Sequence, residues 1–161
     1  MSDKKYHRAF GVYGIYAEDG KLLVINKNGG PYKNRFDLPG GSLEEGETLS
    51  EAMKREFLEE TGLEIEIMES IGIKDFKLPW LWKEFTDVHH IAVYYSVRKI
   101  GGRLRIPEQF EGQDSSGAVW VTQKDISLNN ASPLVLKAFE WLKTEEFGIN
   151  ATIYKDWKVL E

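Results

Sequence analysis

Three glutamates on one predicted helix, Glu56, Glu59 and Glu60, are the residues of this sequence whose types and spacing best fit chemistry. At about 100° per residue, Glu56 and Glu60 fall within the apolar stripe of the helix and Glu59 borders it. Like charges four residues apart cost an isolated helix about a few tenths of a kcal/mol, and carboxylates in a last helical turn face the negative end of the helix dipole. A helix selected only for stability would carry Lys or Arg there.

A hard divalent cation requires several carboxylate oxygens that converge on one point, and glutamates directed toward the protein body can provide them. Mg²⁺ is usually held by a few carboxylates together with waters and substrate phosphates, and the cation would remove the repulsion between the glutamates. The ordinary alternative for a Glu-x-x-Glu-Glu pattern is a solvated helix face. Because their positions on the helix direct the glutamates inward, we favour the metal site over a solvated face.

The helix that must position these glutamates is bounded by recognisable signals. Thr48, with Glu51 three residues later, fits a capping box at its start, and Gly62 fits the position just past a helix end. We therefore predict a helix from Leu49 to Thr61. Its apolar stripe is predicted to contain Leu49, Met53 and Phe57.

The segment around this helix resembles a known family motif. Gly41 to Leu63 matches the Nudix box, G-x5-E-x7-R-E-U-x-E-E-x-G-U, at every fixed position except that Phe57 replaces the usual aliphatic residue. This departure affects packing more than chemistry. The preceding Leu38-Pro39-Gly40 is similar to the lead-in of the family. The resemblance, to the MutT-like Nudix hydrolases, implies an α/β fold, namely an α/β/α sandwich with a mixed central sheet.

The resemblance also implies roles for the residues of the box. Glu56, Glu59 and Glu60 would hold one or more Mg²⁺ ions, with Mn²⁺ as a substitute, helped by the backbone carbonyl of Gly40. A water activated by the metal, or by the metal and a carboxylate, would attack phosphorus. The protein would supply positioning and electrostatics rather than covalent catalysis.

Arg55 and Glu47 are the remaining residues that the resemblance places in the catalytic region. Arg55 would pair with Glu47 and hold the loop from Gly41 to Thr48 against the helix. The alternative is a surface ion pair, which is worth about 0–1 kcal/mol. The motif favours the orienting role.

The reaction implied by the resemblance is cleavage of the pyrophosphate bond of a nucleoside diphosphate linked to another moiety. Pro79, sixteen residues beyond Leu63, slightly favours ADP-ribose or a nucleotide sugar, because family members acting on ADP-ribose often have a proline near that place. The alternatives are a nucleoside triphosphate pyrophosphatase that cleanses the nucleotide pool, and a non-catalytic nucleotide or RNA sensor on the same fold.

Substrate recognition lies outside the box, and two segments are candidates for it. Arg35, with Lys33, could meet phosphates, and Phe36 follows it directly. Trp82, in an aromatic-rich stretch with Trp80, could stack on a base, a contact worth about 1–3 kcal/mol. The alternatives are a solvated basic loop and aromatic residues that only cover the core or a dimer partner.

A general base is expected in the polar loop from Ile106 to Gly117. Family members often place a catalytic carboxylate in the corresponding loop, which makes Glu108, Glu111 and Asp114 candidates. No motif selects among them, and taken alone each fits a surface acid better than a general base.

Composition limits the remaining possibilities. The 161 residues suit one domain, predicted to span the whole chain from 1 to 161. There is no cysteine, which excludes disulfides, thiolate zinc sites and cysteine nucleophiles. A net charge of −5 argues against a nucleic acid polymer as partner, and no apolar run suits a membrane span. We expect a cytoplasmic protein that binds a small nucleotide; the resemblance allows a homodimer.

The elements that surround the motif are predicted from periodicity and turn signals. Two strands, from Ala9 to Tyr16 and from Lys21 to Asn26, are predicted to form a hairpin. His89 and His90 must face opposite sides of a strand, so one is expected in the core or a pocket. The other predicted elements are a strand from Leu63 to Ile73 bent at Gly72, a loop from Asp75 to Asp87, strands from Val88 to Val97 and from Ala118 to Val121, a helix from Pro133 to Phe147, and a tail from Ile149 to Leu160 that contains a possible strand.

Overall fold

Two β-sheets and two helices are formed by residues 3–104 and 115–161, the residues that this computed structural model describes. The first sheet, in the order β5-β1-β7-β6-β9, contains β1 (Tyr6–Ile15), β5 (Gly40–Gly41), β6 (Leu63–Trp82), β7 (Phe85–Gly102) and β9 (Thr152–Ile153). The second contains β2 (Ala17–Glu18), β3 (Lys21–Lys27), β4 (Phe36–Asp37) and β8 (Ser115–Val121), and β3 pairs with the other three. The helices are α1 (Leu49–Thr61) and α2 (Pro133–Thr144).

The first sheet is mixed and lies between two apolar layers. β1 runs parallel to β7 over its whole length, whereas β6 and β7 are antiparallel. Because side chains alternate along β7, Ala92 and Tyr94 lie in the layer that includes α2, while Val93 and Val97 lie in the layer that includes α1. This arrangement confirms the predicted α/β/α sandwich with a mixed central sheet.

Helix α1 has the bounds that its sequence signals predict. The Thr48 hydroxyl accepts a hydrogen bond from the Glu51 amide at 3.2 Å, and Gly62 ends the helix with a φ of 81°. The predicted apolar stripe needs one correction, since Leu49 in the first turn is exposed. Ala52 is fully buried instead, because the face directed at the sheet is rotated toward it.

The segment from Asp75 to Asp87, predicted to be a loop, is instead the end of one hairpin. Phe76 and Leu78 alternate into the core as part of β6, and Trp82 pairs with Phe85 across the turn. Lys83 takes a φ of 52°, a left-handed conformation that usually signals Gly or Asn in a tight turn. The aromatic residues are therefore held on a paired ribbon.

The prediction of a hairpin is wrong, because the strands from Ala9 to Tyr16 and from Lys21 to Asn26 do not pair with each other. β3 pairs with the two-residue β2, while β1 pairs with β5 on one edge and β7 on the other. β1 has no edge left for β3, because the ten-residue register with β7 and the contact with β5 use both of its edges.

In the second half of the chain the predicted strands are longer in the structure, whereas the predicted helix is shorter. Gly72 has a φ of 156° at a register shift in β6, which agrees with the predicted bend. Helix α2 ends at Thr144 rather than at Phe147, because Glu145 turns left-handed and Phe147 packs against the Tyr94 ring at 4.8 Å. The tail contributes only the short β9. Among the described residues, neither helix has the length and apolar character needed to cross a membrane.

Candidate active site

Glu60 is a buried carboxylate at the end of α1. Only 7% of the residue is exposed, and its Oε1 accepts a hydrogen bond from the backbone amide of Gly40 at 2.7 Å. Burial raises the pKa of Glu60 to about 8, and the charge of Glu56 adds to this effect. The folded chain thus holds a carboxyl group beside the Gly40 backbone in a place that disfavours its charged form.

Glu56 lies one turn earlier and faces the same backbone segment. A Cβ atom on Gly41 would come within 2.9 Å of the Glu56 carboxylate, so only glycine allows this approach. Burial raises the pKa of Glu56 to about 7 even though Arg55 acts in the opposite direction. Glu56 and Glu60 therefore place two carboxylates against two consecutive glycines.

Glu59 differs from its two neighbours. Its side chain is 57% exposed, and Oε2 lies 3.2 Å from Nη1 of Arg55. Glu56 Oε1 lies 3.1 Å from the same nitrogen. Glu59 thus shares the guanidinium of Arg55 with Glu56 and does not point at the Gly40 backbone.

The three glutamates do not form a complete metal cage as they stand. In the part of the chain that the structure describes, no group of three or more His, Asp or Glu side chains is arranged to hold a metal ion. Mg²⁺, however, is commonly held by one or two carboxylates together with substrate phosphates and waters. Glu56 and Glu60 fit this donor set, because Glu60 is buried and Glu56 half-buried, both have raised pKa values and both face the Gly40–Gly41 backbone.

Arg55 and Glu47 form a bidentate ion pair. Nε lies 2.6 Å from Oε2 and Nη2 lies 2.8 Å from Oε1 of Glu47, and Nη2 also donates to the carbonyl of Ser42 at 3.0 Å. The Arg55 guanidinium lowers the pKa of Glu47 to about 2, and Glu47 in turn raises the pKa of Arg55. This geometry ties the loop before α1 to the helix, as expected for the orienting role.

A cavity of about 430 Å³ includes Ser42 in its lining, and Ser42 directly follows Gly41, the glycine that the Glu56 carboxylate faces. The three glutamates themselves do not line this cavity. The volume lies in the range of small-molecule sites. Its lining combines the ionisable residues Lys27 and Asp37 with aromatic side chains, namely His7, Tyr13, Tyr32, Trp80, Trp82 and His90.

One wall of this cavity consists of stacked aromatic rings from the β6–β7 hairpin. The Trp80 and Trp82 rings are nearly parallel, with centroids 5.2 Å apart and planes at 5°. Phe85 continues the stack at 6.0 Å from Trp82, and His7 of β1 packs edge-on against Trp82 at 4.7 Å. The wall therefore presents the half-buried side chains of Trp80 and Trp82 to the cavity, with Lys83 Nζ 4.4 Å from the centroid of the Trp82 ring. Aromatic side chains of this kind suit stacking on a planar ligand.

The floor of the cavity is polar and buried. His90 is 5% exposed and lies between two phenols, with Tyr13 Oη 2.9 Å from Nε2 and Tyr32 Oη 2.8 Å from Nδ1. Asp37 is also buried and accepts from the Ser132 hydroxyl at 2.6 Å; burial raises its pKa. Strand alternation predicts one inward histidine, and His90 is that residue. Sequence reasoning missed the two tyrosines and Asp37.

Arg35 and Phe36, predicted to bind substrate, are not brought to this cavity. Arg35 is 4% exposed, donates to the carbonyls of Leu128 and Lys158 at 2.9 and 2.7 Å, and lies 4.2 Å from the centroid of the Trp157 ring. Phe36 packs against the core as part of β4. Arg35 therefore anchors the C-terminal tail, and neither residue lines the cavity.

The remaining predicted residues divide into two groups. Trp82 lines the cavity, as the stacking hypothesis requires. Lys33 lies 3.9 Å from Glu161 at the surface. The three candidates for the general base, Glu108, Glu111 and Asp114, lie outside the described residues.

Comparison with known proteins gives similarity over most of the chain. Residues 5–144 match the family model of the NUDIX domain. A segment is 38% identical over 106 residues to an ADP-ribose pyrophosphatase of Methanocaldococcus jannaschii, covering 63% of this chain and 60% of that protein. Another is 35% identical over 69 residues to an oxidized purine nucleoside triphosphate hydrolase of Mus musculus, covering 43% and 44%. The chain thus matches less than two thirds of either relative's length.

A solved structure shows the same fold. The crystal structure of a MutT NUDIX hydrolase from Burkholderia pseudomallei superimposes with a TM-score of 0.66 at 22% identity, covering 83% of this chain and 97% of that one. At this identity the likeness concerns the fold alone.

Proposed function

The chain belongs to the Nudix family, and on this premise we propose that it is a metal-dependent pyrophosphohydrolase. Its substrate is a nucleoside diphosphate linked to another moiety, with ADP-ribose or a nucleotide sugar preferred. One observation carries this proposal: Ser42 of the cavity lining directly follows Gly40 and Gly41, the two glycines that the Glu60 and Glu56 carboxylates face. A nucleotide with its base in the cavity would place its phosphates at Glu56 and Glu60.

The proposed metal ligands are Glu56, Glu60 and the Gly40 carbonyl, with Glu59 joining them once it leaves Arg55. Mg²⁺ is the expected ion and Mn²⁺ its substitute. When bound, such an ion neutralises charge on the pyrophosphate and lowers the pKa of a nearby water. The raised pKa values of Glu56 and Glu60 support this assignment, because an adjacent cation would offset the cost of keeping both carboxylates charged.

The other residues have positioning roles in this proposal. Arg55 and Glu47 hold the loop that carries Gly41 and Ser42, so that the cavity and the carboxylates keep a fixed separation. Trp82 stacks on the base, and Trp80 holds the Trp82 ring parallel to its own. The half-buried indoles also keep water from that face of the ligand.

The preference for an ADP-ribose type of substrate rests on two observations. The relative from Methanocaldococcus jannaschii is named an ADP-ribose pyrophosphatase. Pro79, noted in the sequence, directly precedes Trp80 of the aromatic wall. The second candidate is a nucleoside triphosphate pyrophosphatase, which is supported by the name of the Mus musculus relative.

Product analysis tests the proposal. Incubation with ADP-ribose and Mg²⁺ is expected to give AMP and ribose 5-phosphate, separated by ion-exchange chromatography, whereas a triphosphate substrate would give a nucleoside monophosphate and pyrophosphate. Glu60→Gln serves as the inactive control. Faster turnover of triphosphates would favour the second candidate. Tight nucleotide binding without turnover of any substrate would contradict the enzyme and favour a sensor.

Four further expectations stay proposals. The first is a cytoplasmic location. The second is a small nucleotide as the binding partner rather than a nucleic acid polymer, which agrees with the net charge of −5. A homodimer and a single domain over the whole chain are likewise expected on the basis of the family and the chain length, and sedimentation analysis would measure the oligomeric state.

A further inference from the structure

Two walls of the cavity belong to separate segments of the chain. One, named here the glycine wall, consists of four lining residues from the loop between β3 and β4, namely Gly29, Gly30, Pro31 and Tyr32. The other is the aromatic wall of the β6–β7 hairpin, to which Trp80 and Trp82 belong. The affinity of the cavity for a ligand therefore depends on how firmly both walls are held in place.

The glycine wall has little packing of its own. No described atom lies within 4 Å of the place where a Cβ atom on Gly29 or Gly30 would stand. The Gly30 carbonyl accepts a hydrogen bond from the Lys33 amide at 3.3 Å, which is longer than the usual range. Glycine also loses more conformational entropy on ordering than any other residue. The wall therefore needs support from another segment.

The C-terminal tail supplies this support through Trp157. Its indole Nε1 donates to the Pro31 carbonyl at 2.8 Å, and its ring packs edge-on against the Tyr32 ring with centroids 5.9 Å apart. The Arg35 guanidinium lies 4.2 Å from the centroid of the same indole ring. Trp157 does not itself line the cavity, so it acts on a ligand through Pro31 and Tyr32.

The same tail is bonded to the strand that carries the aromatic wall. β9 pairs with Phe76 and Lys77 of β6, and the Tyr154 amide donates to the Lys77 carbonyl at 2.8 Å. Trp80 follows three residues beyond Lys77. Residues 154–157, named here the strap, therefore connect the two walls, with one attachment at each end.

We propose that Trp157 is a positioning residue for substrate binding: through the strap it holds the glycine wall in a fixed place relative to the aromatic wall. The inference rests on the proposed function, because it needs a nucleotide in the cavity. The strap lies beyond residues 5–144, the range that the family model matches, so that match assigns it no role.

The strap is expected to act on affinity and not on the chemical step. A wall that is already ordered costs a ligand less conformational entropy on binding, which raises affinity without a new contact. Glu56 and Glu60 are held by α1 and the Gly40–Gly41 backbone rather than by the strap. Loss of Trp157 should therefore change KM and leave kcat nearly constant.

Steady-state kinetics of Trp157→Ala with ADP-ribose and Mg²⁺ separate these two effects. KM is expected to rise by roughly 5- to 30-fold, which corresponds to ordering about one more backbone residue on binding, while kcat stays within about twofold. Calorimetry with AMP, which does not depend on turnover, is expected to show the same loss of affinity. Trp157→Phe keeps a ring beside Tyr32 but has no donor for Pro31, so it is expected to recover about threefold or more of the lost affinity.

Trp141→Ala is the matched control. Trp141 of α2 is a half-buried tryptophan that packs against the same core layer as Trp157 and does not line the cavity. Its removal is expected to lower Tm without changing KM or the affinity for AMP. Circular dichroism shows whether each variant folds, and if Trp157→Ala does not, Trp157→Phe and the wild-type measurement below decide.

Hydrogen exchange at the Trp157 indole N–H, followed by NMR, tests the strap in the wild type. Coupling between two sites is reciprocal, so a strap that raises the affinity for AMP is itself stabilised by AMP by the same factor. Saturation with AMP is therefore expected to slow exchange of this N–H by roughly 5- to 30-fold, although Trp157 does not line the cavity.

Three results would overturn the strap. They are an exchange rate that AMP does not change, equal losses of AMP affinity in Trp157→Ala and Trp141→Ala, and a fall in kcat as large as the rise in KM. If the wild type still hydrolyses ADP-ribose, the proposed function survives each of them. A wild type that neither binds AMP nor hydrolyses ADP-ribose refutes both proposals together.

Discussion

Glu60→Gln is expected to stabilise the metal-free protein while it abolishes hydrolysis. The folded chain buries the Glu60 carboxyl group and raises its pKa from 4.5 to about 8. Below pH 4.5 the group is protonated in both the folded and the unfolded chain, so it does not affect the free energy of unfolding. Between pH 4.5 and 8 the Glu60 carboxyl group is ionised in the unfolded chain but still protonated in the folded chain, so the folded state is progressively destabilised as the pH rises. Above pH 8 the full effect is present.

The size of the effect follows from the pKa. A rise from 4.5 to about 8 corresponds to about 5 kcal/mol at 1.36 kcal/mol per pKa unit. Gln keeps an oxygen that accepts a hydrogen bond from the Gly40 amide. Its buried NH₂ group needs hydrogen-bond partners of its own, and this need reduces the gain in stability by about 1–3 kcal/mol. The expected net gain is therefore about 2–4 kcal/mol at pH 9, equivalent to a rise of roughly 5–15 °C in Tm.

Urea denaturation in EDTA at pH 5, 7 and 9 measures this difference. Glu56 is present in both proteins, so the difference in free energy of unfolding reports the burial of Glu60 together with its repulsion by Glu56. Glu59→Gln is the matched control, because it removes an exposed carboxylate of the same helical turn; its free energy of unfolding is expected to change by at most about 0.5 kcal/mol.

Magnesium should reverse the order of stability. A ligand that binds only the folded state raises its stability by mass action, so millimolar Mg²⁺ is expected to stabilise the wild type and to have little effect on Glu60→Gln. A difference between the two proteins that does not vary with pH, or a less stable Glu60→Gln at pH 9 in EDTA, would refute the assignment of Glu60 as a strained, buried carboxylate.

Three other outcomes are expected. Arg55→Lys should lower kcat for ADP-ribose by about 10- to 100-fold, because Lys cannot bind both oxygens of Glu47; an unchanged kcat in steady-state assays would contradict the positioning role. Trp82→Ala should weaken AMP binding by about 1–3 kcal/mol in calorimetry, while Leu81→Ala, at a residue 83% exposed, should not; equal losses would argue against stacking. Treatment with EDTA should abolish turnover and added Mg²⁺ should restore it, so residual activity in EDTA would exclude a metal requirement.

Local signals explain which elements could be predicted from the sequence. The bounds of α1 were predictable because Thr48 and Gly62 act on the helix ends directly. The β6–β7 hairpin was not, because its turn at Lys83 has no Gly or Asn to mark it. The pairing of β1 with β7 joins segments about 80 residues apart, which no local pattern reveals.

The same distinction applies to the site. The box glutamates and the Arg55–Glu47 pair could be located because their spacing is fixed within one loop and helix. The role of Arg35 could not, since the carbonyl it binds in the tail lies 123 positions away. The contacts of His90 with Tyr13 and Tyr32 were equally hidden, because these tyrosines lie 77 and 58 positions earlier in the chain.

The most direct test is a crystal structure grown with Mn²⁺, measured at a wavelength where manganese scatters anomalously. The account predicts an anomalous peak within coordination distance of carboxylate oxygens from both Glu56 and Glu60, with Glu59 turned away from Arg55. A structure at saturating Mn²⁺ with no peak at these oxygens, and with Glu60 still bonded only to the Gly40 amide, would contradict it.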